Sequence, residues 1–218
     1  MFGFFKTKPV RDEFYQQHKL SAEWEPFLNI GALLTEGNLR RDSLTLQSRL
    51  ASKQLIPLLQ SAWGIHNSAD TNTLIADLLT LPVMQKQAFI SAEQLTDDAI
   101  YQRIKDNCAQ SFAQHNLYFS KDYFDGVRDL AAWDIERAGL ITRYAFNAGW
   151  LTREEALGYL KTLHKLAKQH YTNWLDYYLG YLKGRTIIFD PSIDHALDYI
   201  FALGSFYKDD FFVISHPL

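Results

Sequence analysis

Apolar residues recur at helical spacing along most of the chain, and the stretches that carry them are punctuated by glycine, proline and N-capping side chains. The strongest region runs from Tyr123 to Ile188, where three helical patterns follow one another across very short links. At about 100° per residue, Phe124, Val127, Ala131, Ile135, Ala138, Ile141 and Ala145 share one broad arc of the first helix. Trp133, Leu140 and Tyr144 add a second apolar strip, so this long helix, capped by Ser120 and ended by Gly149, is expected at the centre of the fold. Thr152 with Glu155 makes a capping box for the helix that follows. After a break at Gln169–Thr172, Trp174, Tyr178, Tyr181 and Arg185 fall on one face of a third helix. Gly180 and Gly184 would let another helix approach that segment closely.

The flanks read as helix too. Residues 1–20 form an N-terminal arm whose Phe2, Phe4 and Phe5 can dock on the domain or on a partner. Ser21 caps a helix bearing Trp24, Phe27, Leu28 and Leu34 and ended by Gly37, with Pro26 tolerated near its start. Leu44, Leu50, Leu55, Leu58 and Leu59 continue the pattern, where Pro57 predicts a bend or break and Gly64 a stop. Asn67 or Ser68 caps a short helix closed by Pro82, and another spans Val83 to Phe89. Thr96 caps the next, with Asp97 and Asp98 at the positive end of its dipole. Asp190 and Pro191 open a last helix through Ala202, and Phe211–Ile214 reads as a strand or an extended tail. The prediction is an all-α fold: a single multi-helical domain over residues 21–218, with about seven to nine helices around the long central one and a short extended C-terminal segment.

Composition adds bounds. With 218 residues, 47% of them hydrophobic and 15% aromatic, the chain can bury a substantial single core. A formal charge of −3, from 22 basic and 25 acidic residues, leaves no electrostatic footprint for nucleic acid or an anionic membrane. No segment approaches the roughly 20 apolar residues that span a bilayer, and the opening apolar run is too short for a signal peptide. The single cysteine, Cys108, suits a reducing, cytoplasmic setting. Cys108 and His115 share a helical face but stand about 10 Å apart along the axis, too far for direct proton transfer, so Cys108 reads as core. The histidines are scattered and no zinc, phosphate-loop, dinucleotide or GxSxG pattern occurs, so neither metal nor cofactor is expected.

One charge is out of place. Asp134 lies inside the apolar arc, whereas Arg128, Asp129, Glu136 and Arg143 mostly fall on the more polar side of the helix. A buried carboxylate needs a partner or takes a proton, since an unpaired one costs several kcal/mol. Arg137, one turn on, and Arg185, on the aromatic helix, are the candidate partners. The expected cluster is therefore Asp134, Arg137 and Arg185, with Trp133, Trp174, Tyr178 and Tyr181 as neighbours. It reads either as a structural ion-pair network or as a crevice for a small polar or anionic ligand. General acid–base catalysis by Asp134 would need a second suitable group and a substrate pocket.

The run AAWDIERAGLITRYAFNAGWLTREEALGYL followed by NWLDYYLGYLKGR resembles the DUF1266 family, helical bacterial proteins of unknown function. The resemblance rests on Trp133, Asp134, Arg137, Arg143, Gly149, Glu154, Glu155, Trp174, Gly180 and Arg185, with a core over residues 120–190. The Asn38–Leu44 region and Trp63-Gly64-Ile65 extend it towards the N-terminus. Lys183 and Gly184 lengthen the spacing between Gly180 and Arg185 beyond the Gly-Arg pairing of the family. The resemblance implies helical architecture and bacterial origin and supplies no chemistry. The resulting expectation is a non-catalytic cytoplasmic interaction or structural module with a protein partner. The alternative is a ligand-binding domain or enzyme built on Asp134, Arg137 and Arg185.

Overall fold

Caps and glycines divide the chain largely where the hydrophobic pattern breaks. The computed structural model describes residues 11–38, 42–90, 99–189, 194, 196–207 and 211–218, and every regular element among them is helical. In chain order these are α1 (Glu13–His18), a 3-10 turn (Glu25–Asn29), α2 (Ala32–Gly37), α3 (Ser52–Trp63), α4 (Ser68–Leu79) and α5 (Pro82–Gln87). They continue as α6 (Ala99–Gln114), α7 (Lys121–Gly126), α8 (Ala132–Asn147), α9 (Arg153–His170) and α10 (Trp174–Gly184). A π-helical turn (Arg185–Phe189), α11 (Leu197–Phe206) and α12 (Phe212–Ser215) complete the order. Phe2, Phe4, Phe5, Thr96, Asp97, Asp98, Asp190 and Pro191, all singled out in the sequence, lie outside the described residues.

Ser21 caps no helix, since the 3-10 turn after it starts at Glu25 behind Trp24 with no side-chain cap, but other capping signals act as read. Asn67 Oδ1 accepts the Asp70 amide at 3.0 Å to start α4. Thr152 Oγ1 accepts the Glu155 amide at 3.2 Å while Glu155 Oε2 accepts the Thr152 amide at 2.7 Å, so two orphan donors of α9 are satisfied reciprocally.

Several long helices are shorter than periodicity predicts. The Ser21–Gly37 pattern splits at Ile30 and Gly31, because Gly31 adopts φ 78° and turns the chain between the 3-10 turn and α2. The central helix splits as well. Residues 127–131 interrupt the helix, and several of their backbone groups are taken up by side chains instead. Gln87 donates to Arg128 O and accepts from the Leu130 amide, and Asp129 Oδ1 accepts from the Ala131 amide. Tyr171 Oη bridges Asp129 O and the Ala132 amide. Pro57, by contrast, sits inside an unbroken α3, on an exposed face where the carbonyl deprived of its donor can be hydrated. The Phe211–Ile214 segment is not extended: Phe212–Ser215 makes one helical turn that buries Phe212 and Val213. Part of the N-terminal arm is helix too, with Tyr15 and Leu20 in the core.

α8 is the axis of the fold. All of its residues from Ala132 to Ala145 except Arg137 are buried, and it packs against α2, α3, α4, α9 and α10. A helix covered on every side must be approached closely by its neighbours. Gly139 meets Gly31 backbone to backbone, where a Cβ on Gly139 would lie 2.7 Å from the Gly31 nitrogen. A Cβ on Gly184 of α10 would lie 2.6 Å from Trp133 Cβ.

Candidate functional site

Asp134 is 1% exposed, as its place in the apolar arc implies. Its Oδ2 accepts the Val83 amide at 2.7 Å, at the first turn of α5, and its Oδ1 accepts from Arg137 Nη1 at 3.2 Å. Burial pushes this carboxyl above its ordinary range, and the Val83 amide and the Arg137 charge oppose that rise. Asp134 therefore ties α5 onto α8.

The other members of the expected cluster divide between two places. Trp133, Arg137 and Tyr181 stay together: the guanidinium lies 4.8 Å from the Trp133 ring, and the Trp133 and Tyr181 rings are 5.6 Å apart. Arg185 lies 5.2 Å over the Tyr199 ring, and among the described contacts Arg137 rather than Arg185 pairs with Asp134. Trp174 and Tyr178 stand further back along α10 and meet other partners. Trp174 Nε1 donates to His216 O at 2.8 Å, and Tyr178 Oη donates to Asn29 O at 2.8 Å. The row from Trp174 to Arg185 keeps α-helical register, the Arg185 amide donating to Tyr181 O, but it extends over roughly 16 Å of helix axis, so its members meet different neighbours.

Two charges assigned to the polar side of the helix are buried as well. Glu136 is 0% exposed and Arg143 3%. Glu136 accepts the amides of Gly31, Leu33 and Leu34 at 2.9, 2.7 and 3.1 Å and the Tyr177 hydroxyl at 2.6 Å. Four donors on two oxygens leave no acceptor for a carboxyl proton, so the group sits there as a carboxylate, although burial pushes its pKa upward. Arg143 donates to Ile30 O, Ser43 O and Thr45 O at 3.2, 3.0 and 2.8 Å, and to Leu28 O. Burial pulls its pKa down, opposed by the charges of Asp42 and Glu136, but a guanidinium stays charged throughout the working pH range. A sequence signal for this pair does exist. Glu136, Gly139 and Arg143 follow i, i+3, i+7 spacing, and a glycine on a charged stripe marks backbone approach rather than solvent.

Lys183 is a further buried charge, 2% exposed. Its Nζ donates to Phe124 O and Val127 O, the carbonyls where α7 ends, and lies 4.3 Å from the Phe124 ring and 5.2 Å from that of Tyr101. Burial pulls its pKa down to about 8. Cys108 is fully buried, and burial raises its thiol pKa far from the thiolate range. Chemically, then, these charges carry out backbone recognition within the chain: two carboxylates take amides, and a guanidinium and an ammonium take carbonyls. Among the described residues no group of three His, Cys, Asp or Glu side chains is placed to hold a metal ion. No helix among them is long and apolar enough to cross a membrane.

Comparison with known proteins adds a family and no activity. A family model described as "Protein of unknown function (DUF1266)" matches residues 58–209. The chain is similar to an uncharacterized Escherichia coli K12 protein, YbeR, with 36% identity over 70 residues, 32% of this chain and 30% of that protein. It is similar to a second, uncharacterized protein YbeU of the same strain, with 33% identity over 60 residues, 28% of this chain and 26% of that one. The aligned stretches thus span less than a third of the curated relatives matched. No solved structure matches the chain.

Proposed function

The chain belongs to the DUF1266 family of proteins of unknown function, and from that premise we propose a non-catalytic, cytoplasmic interaction module of bacteria. The observation that carries this reading is where the charged groups of α8 are spent. Asp134, Glu136 and Arg143 direct their hydrogen bonds at backbone and side-chain groups of this chain, which leaves none of them poised for acid–base chemistry. The surface supplies the other half of the argument. Leu197 and Phe201, one turn apart on α11, are 39% and 57% exposed, and the Phe201 ring lies 5.3 Å from that of His115. A protein partner is the occupant such an aliphatic and aromatic pair would suit. Cytoplasmic residence is supported by the one cysteine, buried and reduced.

The test is a photo-crosslinking side chain placed at position 201 in bacterial cells, with the exposed position 161 of α9 as control. A protein captured from 201 and not from 161, whose purified form binds the wild type at least about ten-fold more tightly than Phe201→Glu, supports the module. The same capture pattern from both positions, or equal binding by the variant, defeats it.

A further inference from the structure

Arg137 is the one residue between Ala132 and Ala145 of α8 that is not buried, with 25% of its side chain exposed. Asp134 holds its Nη1 at 3.2 Å, and the guanidinium lies 5.2 Å from the Trp63 ring and 4.8 Å from that of Trp133. Among the described residues, no acceptor meets its Nε and Nη2 edge. A guanidinium fixed by one carboxylate and two indoles, with the other edge of its fork open, has the geometry that takes an oxyanion through two parallel hydrogen bonds.

The second observation comes from α10. Tyr181 is 0% exposed and packs 5.6 Å from the Trp133 ring, and its hydroxyl has no hydrogen-bond partner among the described residues. Leaving a buried hydroxyl unsatisfied is costly, and such a group points to something that completes it. The positive charges of both Arg137 and Arg185 act on this hydroxyl, and Arg185 stands over Tyr199, whose ring is 6.0 Å from that of Tyr181. Burial keeps the phenol protonated, hence a donor.

We propose that Arg137, Tyr181 and Arg185 bind the carboxylate or phosphate group of a small molecule: Arg137 through its Nε and Nη2 edge, Tyr181 through its hydroxyl, Arg185 through charge. Trp63, Trp133 and Tyr199 wall this site. It goes beyond the interaction reading and stands independently of whether α11 meets a partner.

The experiment is calorimetric titration of the full chain with inorganic phosphate and, separately, acetate, at constant ionic strength set with potassium chloride. Saturable binding of either anion is expected, weakened about ten-fold in Tyr181→Phe and abolished in Arg137→Gln. Phosphate alone or acetate alone would each uphold the site and name its preferred group. Because Tyr181→Phe removes a hydroxyl that has no protein partner, its melting temperature without anion should match or exceed the wild type. No saturation by either anion up to about 50 mM would overturn the proposal. So would undiminished affinity in Tyr181→Phe.

Discussion

Glu136 and Arg143 stand about two turns apart on one face of α8 and grip the same loop by opposite backbone groups. Glu136 takes the amides of Gly31, Leu33 and Leu34, where α2 begins, and Arg143 takes the carbonyls of Leu28 and Ile30, where the 3-10 turn ends. The chain reverses sign between these two elements, and α8 supplies the matching charge at each side. Carboxylate at a helix start and guanidinium at a helix end also follow the direction of the backbone dipoles.

Replacing Glu136 with glutamine keeps the shape and reverses part of this match, because the amide NH2 then faces backbone N–H groups. The expected loss is about 3 kcal/mol of unfolding free energy, since charged hydrogen bonds are removed and Arg143 loses a buried countercharge. Urea unfolding checks it: the midpoint falls while the slope is unchanged. A variant as stable as the wild type would mean that the carboxylate is not the anchor of α2.

The Gly31 and Gly139 contact makes a separate claim. Gly139→Ala would set a methyl group 2.7 Å from the Gly31 nitrogen, a backbone atom that cannot rotate away. A loss of about 2–3 kcal/mol or more is expected, against the small helical gain that alanine normally brings. Gly158→Ala is the control, because that exposed glycine of α9 has nothing within 4 Å of the added carbon, and it should stabilise by up to about 1 kcal/mol. Thermal melts of the two variants side by side separate close packing from helix propensity.

How far the sequence reveals this arrangement depends on how local the signal is. Asn67, Thr152 and Glu155 act within one turn, and their roles are legible because capping needs only neighbours in sequence. Asp134 is legible for a related reason, since its position on the helical wheel already places it among apolar residues. The break between α7 and α8 is not, because the side chains that hold it, Gln87, Tyr171 and Lys183, come from 39 to 59 residues away. Glu136 and Arg143 escape notice because the wheel gives them a polar side that this fold covers with a loop instead of water. Arg185 continues the Trp174–Tyr181 row as regular spacing implies, but spacing along one helix does not say which neighbour each level meets, and at Arg185 that neighbour is the Tyr199 ring of α11.

His164 offers a pH signature with a defined sign. Its ring lies 5.2 Å from that of Phe27 and 5.7 Å from that of Trp174, and its Nε2 is buried with no partner. Burial, helped by the nearby charge of Lys168, pulls its pKa down to about 4 from an ordinary 6.5. Between those values the unfolded chain binds the proton and the folded chain does not, so stability falls as pH falls. The contribution is complete above pH 6.5 and gone below about 4, with a slope of at most about 1.4 kcal/mol per pH unit. His164→Phe keeps an aromatic ring between Phe27 and Trp174 and cannot titrate. The stability difference between variant and wild type should therefore widen by roughly 3 kcal/mol on going from pH 7 to pH 4, read by urea unfolding at each pH. Taking the difference cancels the carboxylates, which titrate in both proteins, and a difference constant with pH would place His164 in contact with water.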